Sequence, residues 1–210
     1  MPDLTSLLAF ALVALGMVLT PGPNMIYLIS RSLCQGKQAG YVSLAGVGLA
    51  FVFYMLSAAF GITALFFAVP YAYDALRIAG ALYLLYLAWQ AVKPGGRSAF
   101  SVRDLPADKP KKLFTMGFLT SLANPKVAVL YLSLLPQFIV PGHGSVLMQS
   151  LIFGSMQMLI SIAGNALIIF TAGTVAGFMT GRPLWQVVQR WLMGTVLAGL
   201  AMKMALESRR

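Results

Sequence analysis

A chain of 210 residues with 59% hydrophobic and only 10% charged side chains, and a mean hydropathy of +0.82, is too apolar for a soluble domain, in which about 25% of residues are charged. Its net charge of +10 would point to nucleic acid in a soluble protein. Here the basic residues fall mostly in short links between apolar runs, which is the pattern of membrane topology, and nucleic-acid partners are excluded. One cysteine, Cys34, allows no intrachain disulfide, and no Cys/His cluster has metal-ligand spacing, so no metal or other cofactor is expected.

Stretches 39–73, 113–125, 127–142 and 144–181 contain no Asp, Glu, Lys or Arg. Barrel strands need only about 10 alternating residues and spanning helices about 20 apolar ones, so these are helices. Apolar runs read against charges and breakers give six spans, at about 4–33, 39–69, 72–92, 113–139, 146–178 and 184–204. Met1-Pro2-Asp3 carries no Lys or Arg and no small-x-small site follows, so the first span is expected to remain in place rather than be cleaved as a signal peptide. "RSLCQGKQAG" links the first two spans and "VPYAYD" the next two. Residues 93–112 form the one long polar loop, and "PGHGS" and "TGRP" make the remaining turns.

Counting Lys and Arg by side orients the chain. Arg31, Lys37, Lys93, Arg97, Arg103, Lys109, Lys111, Lys112, Arg182 and Arg190 fall on one side, and Arg77, Lys203, Arg209 and Arg210 on the other. The loop 93–112 is therefore expected in the cytoplasm, with the N-terminus outside. The basic C-terminal tail opposes the placement of the last span, and a five-span chain with a cytoplasmic C-terminus is the alternative.

The first span contains "LTPGPN" at 19–24, where two prolines and a glycine break an apolar helix. "LTSLAN" at 119–124 repeats Leu, Thr and Asn at an offset of 100 residues, ahead of Pro125. Three spans per half is an odd number, so the second copy would be upside down relative to the first. The expected fold is thus an all-α integral membrane protein of six transmembrane helices, arranged as two inverted three-helix repeats with broken first helices. It forms one transmembrane transporter domain over 1–210, with repeat 1 at about 1–92, the cytoplasmic loop at 93–112 and repeat 2 at about 113–210. Paired broken helices hold substrate near the midplane in many transporters.

Lys126 is the costliest residue in the chain, because a lysine at the centre of a spanning helix costs about 2.5–3.5 kcal/mol on insertion scales. It either snorkels to the cytoplasmic side or faces an internal cavity, where it would attract a carboxylate. The second reading is preferred because Asp3, Asp74, Asp104, Asp108 and Glu207, the only acids, all lie in loops or at span ends. Asn24 and Asn124 beside the breaks can satisfy freed backbone groups, bond a substrate, or do both. The half-helix that begins near Asn24 presents N–H groups and partial positive charge to an anion. Substrate binding or gating is accordingly expected at Pro21, Gly22, Pro23, Asn24, Asn124, Pro125 and Lys126, with Tyr54, Gln157 and Asn165 as candidate cavity-lining residues.

Gln157, Ser161 and Asn165 form a polar stripe better explained by helix-to-helix hydrogen bonds than by substrate contact. Gly40, Gly46 and Gly48 are expected at close helix contacts. Asp74 and Arg77 are expected to pair near the outer surface. Tyr83, Tyr86 and Trp89 fit interface anchoring or cavity lining, and His143 is expected in a solvated outer turn. No constellation looks catalytic, so an enzyme is not expected. A ring of charges, as a selective pore would need, is also missing.

"TPGPNMIYLISRSLCQGKQAGYVSLAGVGLAFVFYMLSAAFGI", "AGALYLLYLAWQ" and "FTMGFLTSLANPKVAVLYLSLLPQF" together resemble the LysE/RhtB exporter superfamily, most nearly the RhtB-like branch that handles neutral substrates such as homoserine, threonine or leucine. The resemblance implies proton-driven export of amino acids or related small metabolites across the bacterial inner (plasma) membrane, with protons as coupling ion. Its motifs fall on Pro21, Gly22, Pro23 and Asn24, and on Asn124, Pro125 and Lys126. Relatives often carry an acidic residue or histidine after "GVGLA", where this chain has Phe51 and Tyr54. The partners expected are an amino-acid-like substrate, protons, membrane lipid and a second copy in a homodimer. The competing class is a non-transporting membrane interaction or structural subunit.

Overall fold

A computed structural model describes residues 2–20, 22–68 and 107–179, with scattered positions between 78 and 93 and between 187 and 206. Side chains within 62–68 and 175–179 are not described. All regular structure among the described residues is helical. The spans expected at 72–92 and 184–204, and with them Asp74, Arg77 and Tyr83, lie largely or wholly outside these residues, as does Pro21 in the first break.

Helix α1 (Leu4–Leu19) starts on Asp3, whose carboxylate accepts from Ser6 N at 2.6 Å. That bond satisfies one of the donors orphaned at a helix start. Helix α2 (Pro23–Gln35) follows at an angle of 54°. Gly36, at φ 87°, then turns the chain directly into α3 (Lys37–Ala68). A positive φ is open to glycine without a Cβ clash, so the link shrinks to one residue.

Helix α4 (Pro110–Leu122) begins three residues before the expected 113, with Pro110 in the first turn where its missing N–H costs nothing. It breaks at Ala123-Asn124 and continues as α5 (Pro125–Val129), a π turn (Leu130–Leu134) and a 3-10 turn (Leu135–Phe138). The bend here is 51°. A turn fixed by Gln149, whose side-chain amide exchanges two 3.1 Å bonds with the backbone of Val140, leads into α6 (Val146–Met179). His143 in this turn is exposed. By length and composition α3 and α6 can each cross a membrane, and each bent pair can form a further span, giving two to four spans among the described residues.

The half-helices that follow the breaks start at Pro23 and Pro125, an offset of 102 rather than the 100 at which the sequences match. Asn24 and Lys126 therefore hold the same second position of their respective half-helices.

Helices α3 and α4 cross backbone to backbone. A Cβ on Gly46 would strike the carbonyl of Phe114, and one on Gly117 the carbonyl of Ser43. Gly40 is also tight, since a Cβ there would lie 2.9 Å from Ile169 of α6, whereas one on Gly48 would make only ordinary contact. Helix α2 runs antiparallel along α4. Near the start of α4, the Tyr27 hydroxyl donates to Leu113 O at 3.0 Å, and Arg31 pairs with Asp108 at 2.5 Å. Gln35 donates to Asp108 at 3.3 Å and accepts from its backbone N–H at 2.9 Å, while Lys112 closes the cluster at 2.6 Å. Tyr27, Arg31 and Gln35 are spaced by four residues, so one face of α2 carries the whole clamp.

Melting in detergent tests both the helix crossing and the Asp108 cluster. Gly117→Ala should lower the melting temperature in detergent by an amount equivalent to about 1–3 kcal/mol or more, because neither backbone can yield locally. Gly173→Ala, with open space around it, should cost nothing in the same assay. The Lys112 and Gln35 hydrogen bonds hold the Asp108 carboxyl below its ordinary value of 3.8. The stabilisation is therefore complete above about pH 4 and is lost as pH falls through the lowered folded value. A wild-type melting profile should show that acid-side loss, and Asp108→Asn should remove it.

Candidate substrate site at the paired helix breaks

Lys126 is 9% exposed and sits in the first turn of α5, where the helix dipole disfavours a cation. Its ammonium is stabilised from elsewhere: Nζ donates to Met17 O at 2.9 Å and Thr20 O at 2.7 Å. These carbonyls lie at the C-terminal end of α1, among those a helix leaves unpaired and on its negative pole. The break after Leu19 thus creates the acceptors that receive a buried lysine, whose ammonium turns inward onto the end of α1.

Gly22 is extended, at φ −159°, so its glycine is not required by conformation. Space is tight there, since a Cβ would lie 3.1 Å from Lys126 Nζ and 3.2 Å from Cε and the end of the lysine would have to give. Pro23 and Pro125 start the two half-helices without sacrificing an N–H bond.

The two asparagines play different parts. Asn124 Oδ1 accepts from Lys126 N at 3.0 Å and caps α5, so Asn124 shapes the break from outside the cavity. Asn24 Nδ2 donates to Ser121 Oγ at 3.0 Å, in the last turn of α4. No side chain caps the start of α2. The breaks therefore dock reciprocally: the start of α2 on the end of α4, and the start of α5 on the end of α1.

Asn24 and Lys126 line one cavity of about 30 Å³, together with Gln157, Ser161 and Asn165 from α6 and an apolar wall that includes Met17, Val18 and Phe51. That volume holds a water or two and no amino acid. Gln157 Nε2 donates to Ser161 Oγ at 2.7 Å and Asn165 Nδ2 to Ser161 O at 2.8 Å. These bonds stay within α6, so the stripe faces the cavity and does not make the interhelical bonds expected of it. Tyr54 is not part of the lining: its hydroxyl donates to Leu122 O at 2.7 Å and its ring stacks on Tyr131. It braces the end of α4 instead. Gly22, Pro23, Asn124 and Pro125 likewise build the breaks without lining the cavity. Met17, Val18 and Met25 were not singled out from sequence, although their place on either side of "TPGPN" was the available signal.

The contact between Gly22 and Lys126 is testable as a double-mutant cycle. Gly22→Ala should destabilise the wild-type background and cost less beside Lys126→Ala, with a coupling of about 0.5–3 kcal/mol in detergent melting. Additive effects would show that the glycine serves something other than passage of the lysine.

Comparison with known proteins accords with this architecture. An uncharacterized membrane protein of Pseudomonas aeruginosa is 28% identical over 98% of both chains. The uncharacterized membrane protein YrhP of Bacillus subtilis is 26% identical over 96% of this chain and 99% of its own. A leucine efflux protein of Enterobacter sp. (strain 638) is 27% identical over 90% of this chain and 89% of its own. No solved structure matches. The family described as LysE type translocator matches residues 15–208, nearly the whole chain. The broken helices and the buried lysine thus lie in a translocator rather than an enzyme, and the chain belongs to the LysE type translocator family.

Proposed function

We propose that this protein exports amino acids or closely related metabolites from the bacterial cytoplasm, with the substrate carboxylate held by Lys126 and the uncapped start of α2. The observation that carries the reading is the bonding state of Lys126. An ammonium has three N–H donors. Two are taken by Met17 O and Thr20 O, which leaves one for a ligand in the cavity that Lys126 lines. Relatives named leucine efflux proteins, from Enterobacter and Klebsiella among others, support an amino acid as the cargo.

In this proposal the chain makes six spans as two inverted repeats, with the loop 93–112 in the cytoplasm and the N-terminus outside. The reciprocal docking of the breaks and their similar bends of 54° and 51° support the inverted arrangement, and the distribution of Lys and Arg supports the orientation. A cavity of about 30 Å³ corresponds to a closed state, so substrate enters only when one three-span half moves against the other. The proton-motive force drives export. In this reading the coupling proton exchanges at Lys126, which is the titratable side chain among the described residues lining the cavity.

Efflux of radiolabelled leucine from loaded proteoliposomes tests the assignment. Lys126→Ala should reduce the rate at least about tenfold, the effect of losing roughly 1.4 kcal/mol of differential interaction, and an uncoupler should abolish gradient-driven efflux by the wild type. Unchanged export by Lys126→Ala at normal expression would remove the lysine from the site.

A further inference from the structure

Two residues that line the cavity, Asn24 and Gln157, each carry a buried amide oxygen without a partner. Asn24 is 6% exposed and Gln157 3%. Each amide nitrogen donates to a serine hydroxyl, Asn24 Nδ2 to Ser121 Oγ and Gln157 Nε2 to Ser161 Oγ. That arrangement leaves Asn24 Oδ1 and Gln157 Oε1 buried and without a hydrogen bond. Buried polar atoms are almost always paired, so two such acceptors beside one cavity point to a donor that the protein itself does not supply. Asn24 comes from α2 and Gln157 from α6, and both line the cavity with Lys126.

We infer that Asn24 Oδ1 and Gln157 Oε1 accept the α-ammonium group of the substrate while Lys126 takes its carboxylate, so that the site reads free, zwitterionic α-amino acids with apolar side chains. This rests on the export reading above. The charges are complementary: the protein offers one cation to the carboxylate and neutral acceptors to the ammonium, so the bound pair neutralises itself and adds no net charge to a buried site. A carboxylate lining residue would have neutralised Lys126 directly, and among the described residues there is none. The remaining wall, with Met17, Val18, Met25, Phe51, Val127 and Leu130, gives an apolar side chain its contacts and offers a cationic one no counter-charge.

The consequence is discrimination by the amine. A 2-oxo acid with the leucine side chain keeps the carboxylate and the apolar group but has no N–H to satisfy the two oxygens, which leaves them buried and unpaired in the complex.

The test is leucine counterflow in proteoliposomes of the full chain, with three unlabelled competitors: leucine, 4-methyl-2-oxopentanoate and lysine. Leucine should compete, and the oxo acid and lysine should each be at least tenfold weaker. Gln157→Met, similar in length and unable to accept strongly, should weaken leucine towards the level of the oxo acid while leaving the oxo acid unchanged. An oxo acid as effective as leucine overturns the inference and leaves the export reading standing, since it means the two oxygens hold only water. Unaltered discrimination in a folded Gln157→Met removes Gln157 from the ammonium site and overturns the two-oxygen assignment. Wild-type protein that moves lysine but no neutral amino acid overturns the inference alone, and one that moves no amino acid or related metabolite overturns both readings.

Discussion

The bond between the Lys126 ammonium and the last carbonyls of α1 is the contact on which the centre of this molecule depends. A buried cation and an interrupted helix are each costly in a bilayer when taken alone. Together they offset one another, because the interruption exposes carbonyls at a negative helix end and the cation satisfies them. Gly22 lies against that pairing, where a Cβ would crowd the end of the lysine. Asn24 completes the reciprocal contact by docking the second half of the first broken helix on Ser121. Neither break stands without the other, although they lie a hundred residues apart.

Around this centre the protein combines continuous and interrupted elements. Helices α3 and α6 are unbroken, and the crossing of α3 with α4 is so close that Gly46 and Gly117 admit no Cβ. Helix α2 is fixed at one end by Asn24 and along its length by Tyr27, Arg31 and Gln35, which grip the residues leading into α4. The lining side chains thus sit at the seam between parts held by backbone packing and parts held by a few polar bonds. Polar bonds can be exchanged for water or ligand, whereas a backbone crossing cannot be loosened by degrees.

Much of this was readable from sequence, for physical reasons. A lysine in an apolar run costs enough that it demands a purpose, and a Pro-Gly-Pro interruption demands compensation, so Lys126, Asn24 and both breaks stand out before any coordinates. Helix boundaries in the described regions moved by only a few residues, because apolar length and proline placement set them. What sequence could not supply was pairing across the fold. The carbonyls that receive Lys126 belong to Met17 and Thr20, and every residue has a carbonyl. The partner of Gly46 is likewise a backbone position, which no side-chain pattern reveals. Periodicity put Gln157 and Asn165 on one face without saying whether that face meets a helix or a cavity, and Tyr54 turned to a backbone carbonyl for the same reason. Arg31 counted only as a topology charge, since its partner Asp108 lies 77 residues away in a polar segment. The match between the two breaks is out of register with the helix starts by two, because identical letters align the asparagines while the helix starts align the prolines.

The length of the unbroken helices bears on the surrounding lipid. At about 1.5 Å per residue, the 34 residues of α6 extend well beyond a hydrocarbon layer of about 30 Å. The stretch Val146–Thr174 alone is 29 residues long, so a helix of this length fits the layer by tilting or by thickening the membrane locally. The bent spans can shorten by folding at their breaks, but α6 cannot. Acyl-chain length therefore acts on α6 through its tilt, and α6 is the helix that carries Gln157, Ser161 and Asn165 of the cavity lining.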